Sequence, residues 1–401
     1  MVLKIKFGAL LTMCGEPLEN GELVIEDGEI LEVFAKVDSA ETEETLDLSD
    51  YLLMPGFVNA HSHLGLTALA KRISPSRNFA EWIRELIPLN SAMKDEERMQ
   101  GIGVGADEMM SSGVTGLADY VADSTLLNPI SRLGFRNVLF LEVIGFQSEK
   151  AETIAREVER ILIDNSSICS LGIAPHAPYS VSAKLWGRLN ELAREYDCPL
   201  SSHLAEVDEE VAFLDEGKGP LVDLLKDREV FDANWQVPAM TPVRYLNSLG
   251  VLNGLIAVHC NYIEDDMEVL KAAGAGVVFC PKSTHWFGRT HILPARKMLD
   301  IGIPVALGTD SMSSNDSLNF LEELRMADKL LPDVSRKEIL IMATRSGAEI
   351  LGFPCGKIES GQKADIIGFR INSKPNNWWD VPFEPQRQKV DFYMVNGKVK
   401  N

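Results

Sequence analysis

The hydrophobic pattern divides the chain into three stretches. In the first fifty or so residues, apolar runs at Leu3–Phe7, Leu23–Ile25 and Ile30–Phe34 alternate with turn signals at Glu19–Gly21 and Glu26–Gly28. Such runs predict short strands joined by tight turns. The last fifty residues have the same character. Residues 356–366 read as a turn followed by a strand, and Phe392–Val395, Asn396-Gly397 and Lys398–Val399 read as a hairpin. Between these β-rich ends lie eight short apolar runs: Leu52–Val58, Val114–Ala118, Val138–Ile144, Cys169–Ala174, Pro199–Ser202, Leu255–Val258, Gly276–Cys280 and Ile303–Leu307. Longer amphipathic stretches separate them, among them Ala151–Ile163, Ala183–Tyr196 and Glu264–Ala273. Strands alternating with helices predict a parallel sheet. Eight units over roughly three hundred residues match a (β/α)8 TIM barrel, which typically takes ~250 residues and more with insertions. The expected fold is α/β, with a barrel over 55–349 and a small β-sandwich built from 1–54 and 350–401. A doubly wound open sheet is the alternative.

Charge narrows the partners. The chain of 401 residues carries 39 Lys and Arg against 59 Asp and Glu, a net charge of −20. So acidic a surface repels phosphate backbones and anionic lipid, so neither nucleic acid nor membrane is an expected partner. The six cysteines, Cys14, Cys169, Cys198, Cys260, Cys280 and Cys355, form no C-x-x-C pair and do not read as a disulfide framework. The N-terminal segment alternates like a strand and has no small-residue cleavage site. No run of ~18 apolar residues occurs. A cytoplasmic protein is expected, with a homo-oligomer left open.

Seven histidines occur in the chain, and five of them, His61, His63, His176, His203 and His259, each follow a strand-like run. In a parallel barrel those positions open onto one face, the C-terminal mouth, where active sites sit. His61-Ser62-His63 places two imidazoles on one side of an extended chain. Taken alone, such a pair is as easily two polar loop histidines, and a lone His203 is more often a hydrogen-bonded structural residue. Asp310, in Gly308-Thr309-Asp310-Ser311, has the alternative of capping a helix. Taken together, His61, His63, His203 and Asp310 are a ligand set for one divalent metal ion per chain, Zn²⁺ first and Fe²⁺ second, with room for a water. Glu206, three residues after His203, is placed to shuttle a proton, its alternative being a first-turn helix glutamate. His259 is placed to hydrogen-bond the metal-bound water. The fourth strand ends at Ala174-Pro175-His176 without the lysine that a two-metal site of this kind would need. A P-loop, a G-x-S-x-G elbow and the H-x-E with P-C-x-x-C deaminase signature are absent. Gly101-Ile102-Gly103-Val104-Gly105 falls inside a helix-like stretch and reads as close helix packing.

These residues resemble those of the amidohydrolase superfamily, in its cytosine-deaminase-like and chlorohydrolase-like branch. The likeness rests on Pro55-Gly56-Phe57-Val58-Asn59-Ala60-His61-Ser62-His63, His176-Ala177-Pro178-Tyr179-Ser180, His203-Leu204-Ala205-Glu206, Val258-His259, Gly308-Thr309-Asp310-Ser311 and the segment 356–366, and it runs nearly end to end. The resemblance implies that His61, His63, His203 and Asp310 hold a metal, that Glu206 and His259 handle protons with Asp310, and that His176 contacts substrate. It also implies the reaction, hydrolytic deamination of an aromatic heterocycle with release of ammonia.

Deaminases of S-adenosylhomocysteine and methylthioadenosine are near neighbours in that branch. They tend to carry a glutamate where this chain has Pro88-Leu89-Asn90, and often an arginine at the third strand end, where this chain runs from Phe140 to Phe146. The run Cys280-Pro281-Lys282-Ser283-Thr284-His285-Trp286-Phe287-Gly288, with Phe79 and Trp82, looks more like aminodeoxyfutalosine deaminases of the alternative menaquinone pathway. That ranks aminodeoxyfutalosine first, other adenine nucleosides second and triazines third. Trp82, His176, His285, Trp286 and Phe287 are the expected substrate rim, packing being the alternative for the aromatics. An aromatic acid at the far end of the substrate would call for a cation, and Arg72, Arg77, Lys282 and Arg289 are candidates, ordinary surface being the alternative. Two further classes of the same fold, a cyclic-amide hydrolase and a non-enzymatic scaffold, fit less well, because the first usually needs the missing lysine and the second should have lost ligands.

Overall fold

The computed structural model describes residues 2–35, 45–76, 78–167, 170–263 and 265–400. The N-terminal segment forms β1 (Val2–Leu10), β2 (Leu18–Glu26), β3 (Glu29–Phe34) and β4 (Thr45–Pro55). The barrel strands follow: β5 (Phe57–Ser62), β6 (Val114–Val121), β7 (Arg136–Val143), β8 (Ser170–Pro175), β9 (Ser201–Leu204), β10 (Ile256–His259), β11 (Gly276–Phe279) and β12 (Val305–Leu307). The C-terminal segment adds β13 (Ile366–Arg370), β14 (Phe392–Val395) and β15 (Lys398–Val399).

The two ends of the chain pair in one seven-stranded sheet, in the order β15-β14-β13-β4-β1-β2-β3. Alternation along β4 shows how this sheet is used. Leu53 packs with Ile5, Phe7 and Leu23 in a core of the terminal unit itself, whereas Leu52 and Met54 join the large core shared with the barrel. The β2–β3 hairpin turns on Asp27-Gly28 and the β14–β15 hairpin on Asn396-Gly397, all four residues at φ between 49° and 80°. These left-handed pairs match the strand twist. The tips touch, since a Cβ at Gly397 would stand 2.6 Å from the Gly28 backbone.

The expected run Leu52–Val58 is two strands. Leu52–Pro55 belongs to the terminal sheet and Phe57 opens the barrel. Gly56 is the joint, and a Cβ there would fall 2.1 Å from Thr115 Oγ1. In the barrel, β5 to β8 form one parallel ladder and β9 to β12 another. Single parallel bridges join them at both seams, Ile173 to Leu200 and Ser62 to Asp310. Val58, Ala60, Ala118, Tyr120, Phe140, Val258, Val278 and Ala306 fill the interior. Intervening residues such as Leu117, Leu139, Ala257 and Val277 pack outward under the helices.

The glycine run at 101–105 lies in the helix Asp95–Ser111. A Cβ at Gly101 would meet Ala68, and one at Gly105 would meet Thr67, so the helix sits close on the turn Leu64–Leu69 that follows the paired histidines. Cys14, Cys198, Cys260, Cys280 and Cys355 are free thiols, and Cys169 lies outside the described residues. Among the described residues, no helix is long and apolar enough to cross a membrane.

Candidate metal centre

Strict alternation along β5 would send His61 to the wrong face. Val58 and Ala60 point into the barrel, so the next inward position is 62. The register breaks here: Asn59 lies opposite Leu117 and Ser62 opposite Asp119, so β5 spends three residues where β6 spends two. Such a bulge re-aims side chains. Ser62 Oγ turns away to donate to Asp119 Oδ1 at 2.6 Å, and the His61 and His63 rings come together with centroids 4.8 Å apart.

The other groups arrive from the ends of distant strands. His203, on β9, has its Nδ1 2.9 Å from the His176 carbonyl oxygen, an acceptor only, so Nδ1 carries the proton and Nε2 keeps its lone pair. That Nε2 lies 3.4 Å from His63 Nε2. Asp310, just past β12 at φ 59°, accepts from Ser283 Oγ at 2.6 Å and from the Ser311 amide at 2.8 Å. Its Oδ1 is 3.8 Å from both His61 Nε2 and His63 Nε2, too far for a hydrogen bond. His61 is fully buried, yet neither ring nitrogen has a hydrogen-bond partner in the structure. Such an orphan is costly unless something else takes the lone pair. The donor set of imidazole nitrogens and one carboxylate fits a divalent cation. Ligand atoms of His61, His63 and Asp310 lie within 4.8 Å of one another, and those of His61, His203 and His259 do likewise.

Electrostatics separate the two carboxyls. Burial pushes Glu206 up to about 8. Burial also opposes ionisation of Asp310, but close contact with His61 and the charges of His259 and His63 outweigh it and hold the group well below the usual carboxylate range. Burial holds His61 and His203 down at about 4 and His63 at about 3, so all three imidazoles are neutral at pH 7, the form that binds a metal. Glu206 Oε2 lies 3.9 Å from His259 Nε2. His176 turns its Nδ1 to Ser180 Oγ at 2.7 Å, and its ring stands 4.9 Å from that of His203. Pro175 and His176 end the fourth barrel strand with no lysine.

The expected rim divides. Trp82, half-buried, packs 5.3 Å from Phe79 and 5.2 Å from Phe287, and its Nε1 donates to the Ser313 carbonyl. Phe287 is 2% exposed, inside the main core. Phe287→Ala is therefore expected to cost about 3–5 kcal/mol of stability, read by denaturant unfolding. Half-buried Trp286, truncated to Ala, should cost less; equal losses would count against this division. His285 is exposed at the end of a helix, near Asp316. Arg72 is ion-paired with Glu97 on the surface, and Lys282 is held by Asp316 and Glu322. Arg77 lies outside the described residues. Arg289 differs from these cations. Its guanidinium stacks over Phe287 at 4.5 Å and Phe79 at 5.5 Å, and Nε and Nη2 are buried without a partner. Its charge acts on both Glu206 and His259.

Three groups at the centre were not expected. Glu142 Oε1 sits 4.0 Å from His63 Nδ1, and burial pushes the group up to about 7. Asp119 is raised to about 7 by burial and anchors Ser62 and the Leu64 amide. The Tyr120 ring lies 4.5 Å from that of His61, and its hydroxyl donates to Ser201 Oγ at 2.6 Å. The signal for Asp119 and Glu142 was a lone carboxylate in an otherwise apolar strand.

Imidazoles and a carboxylate gathered at the strand ends of an eight-stranded parallel barrel define a hydrolase built around a divalent cation. Residues 52–400 match the amidohydrolase family, and the chain belongs to it. It is similar to the 5-methylthioadenosine/S-adenosylhomocysteine deaminase of Pyrococcus furiosus, at 31% identity over 98% of this chain and 94% of that one. Among solved structures, it is similar to a zinc-bound adenosine deaminase from Xanthomonas campestris, at 25% identity and TM-score 0.81 over 99% of this chain and 92% of the other. The aminofutalosine deaminase of Helicobacter pylori shares the fold over 100% of both chains, with TM-score 0.85 and 21% identity. The chain is thus a hydrolase of this family, in company with deaminases.

Proposed function

We propose that this chain hydrolytically deaminates an adenine-type nucleoside at one divalent metal ion, zinc, with 6-amino-6-deoxyfutalosine as the natural substrate. The observation that carries the deaminase reading is the pair of carboxyls beside His259, one driven up and the other down. In this reading residues 55–349 are the catalytic unit, and 1–54 with 350–401 the β unit.

His61, His63, His203 and Asp310 would hold the metal, and a divalent cation there supplies a bound water acidified from 15.7 towards ~7. Asp310, ionised, and His259, neutral, orient the attacking water and accept its proton. Glu206, protonated at neutral pH, gives its proton to the ring nitrogen beside the amino-bearing carbon. The water oxygen bonds to that carbon. The proton taken up by Asp310 and His259 passes to the amino group, the C–N bond breaks and ammonia leaves. The new hydroxyl returns its proton to Glu206 and becomes the carbonyl. Two carboxyls with separated pKa values can thus act as acid and base in one site.

Two features support the finer substrate reading: the Cys280–Gly288 run, and the partnerless Arg289 guanidinium beside Phe79 and Phe287, which is suited to an anionic or aromatic far end. The Pyrococcus relative favours a second reading, methylthioadenosine or S-adenosylhomocysteine. Ammonia release decides between them. We expect the highest kcat/KM for aminodeoxyfutalosine in a panel with S-adenosylhomocysteine, methylthioadenosine and adenosine. A preference for any of these three would overturn the substrate and leave the deaminase standing. Arg289→Met should cost ~10–10²-fold in kcat/KM for the acid, the worth of a charge-assisted hydrogen bond, and little for methylthioadenosine.

A further inference from the structure

Glu210 is fully buried, and the chemistry above leaves it without a role. It lies in the first turn of the helix Asp208–Glu216, whose cap residue Val207 offers no side-chain cap. At that position a glutamate commonly reaches back to the cap amide. Here it reaches further. Oε1 accepts from the Ala205 amide and Oε2 from the Glu206 amide, each at 3.1 Å. One carboxyl group thus holds both amides of the turn between His203 and Glu206; burial pushes it up to about 8, and the two amide bonds pull the other way.

That turn is strained and interlocked. Ala205 sits at φ 49°, and on the neighbouring strand end His259 and Cys260 sit at 74° and 50°. Left-handed residues other than glycine are strained and persist only where their surroundings over-determine them. Three hydrogen bonds tie the two strand ends together: the Cys260 amide to the Leu204 carbonyl at 3.0 Å, the Tyr262 amide to the Ala205 carbonyl at 3.0 Å, and Asn261 Nδ2 to the Glu206 carbonyl at 3.2 Å. Glu206 and His259 therefore stand on one buried frame, gripped on one side by Glu210 and on the other by Asn261.

We propose that Glu210, with Asn261 opposite, is a positioning residue of the deamination: its carboxyl group clamps the Ala205–Glu206 amides and so fixes the Glu206 carboxyl against His259 and the ring nitrogen it protonates. The inference rests on Glu206 as the proton donor. Glu210→Gln keeps one acceptor and turns an NH2 against the other amide. Misplacement by about 1 Å can cost 10²-fold in rate, so kcat for the best nucleoside of the panel should fall ~10–10²-fold. KM should stay within about twofold and metal content unchanged. In a Glu206→Gln background the same change should cost nothing more, because the group being aimed is gone. Asn261→Ala, which removes the opposite grip together with an unpartnered buried Oδ1, should reproduce the pattern more weakly and serves if Glu210→Gln does not fold. An equal fold-loss in both backgrounds, or wild-type kcat in the variants, overturns the positioning role. If Glu206→Gln alone leaves turnover intact, the donor reading itself falls, a result distinct from either.

Discussion

Glu206→Gln is expected to slow turnover ~10²–10⁴-fold, the usual share of a general acid, while the protein keeps its metal. Gln has the same shape and no proton to give. Glu206 is buried and held at about 8, so the wild-type carboxyl is protonated at neutral pH and loses its proton as the pH climbs through that value. A bound cation nearby would move this downward. The wild-type rate should therefore fall on the alkaline side, and the variant should lack that limb. Stability carries the same sign. A carboxyl whose folded pKa lies above its unfolded value contributes fully below the unfolded value and loses that contribution as pH rises through the folded one. Relative to wild type, the Gln variant should gain stability progressively as pH rises from the unfolded carboxyl value, about 4.3, to about 8, and the gain should stay constant above that. A variant with normal turnover and full metal would leave Glu206 only a buried residue of the turn before the helix Asp208–Glu216.

Stripping the metal with a chelator is expected to abolish turnover and lower the melting temperature, with both restored by zinc. His61 is the reason for expecting a large effect: its two ring nitrogens are buried and unpartnered. A ligand at a hundred times its Kd stabilises the folded state by ~2.7 kcal/mol. Asp310→Asn should lose both metal and activity, since it takes away the ionised member of the set. Elemental analysis should find one metal per chain. Two per chain at full activity, or turnover that survives chelation, would overturn this ligand set.

Fold and site were legible to different depths. Alternation of strands and helices, paired β-rich ends and the Asn396-Gly397 turn are local signals, written in period and turn chemistry. They suffice for the barrel class and the terminal sheet. The clustering of His61, His63, His176, His203 and His259 was also readable, because a parallel barrel gathers its strand ends on one face. Spacing alone could not show which way His61 points. The simple period carried from Val58 and Ala60 turns it outward, and only the pairing of β5 with β6 reveals the extra residue that turns it in. The rim was the least legible, because side chains on loops answer to neighbours far away in sequence.

By itself, then, the amino-acid sequence determined the class of fold and the gathering of histidines at one end of the barrel, since these depend on periodicity and residue chemistry. Tertiary structure alone decided the rest. It set the split between Glu206 and Asp310, which arises from burial and the imidazoles around them. It buried Phe287 in the core, paired Arg72 and Lys282 with acids, and left Arg289 Nε and Nη2 buried and without hydrogen-bond partners over two aromatic rings. It brought Glu210 beneath the Glu206 turn. Burial, pairing and hydrogen-bond geometry are sums over neighbours in space, and a position in the chain does not carry them until the chain has folded.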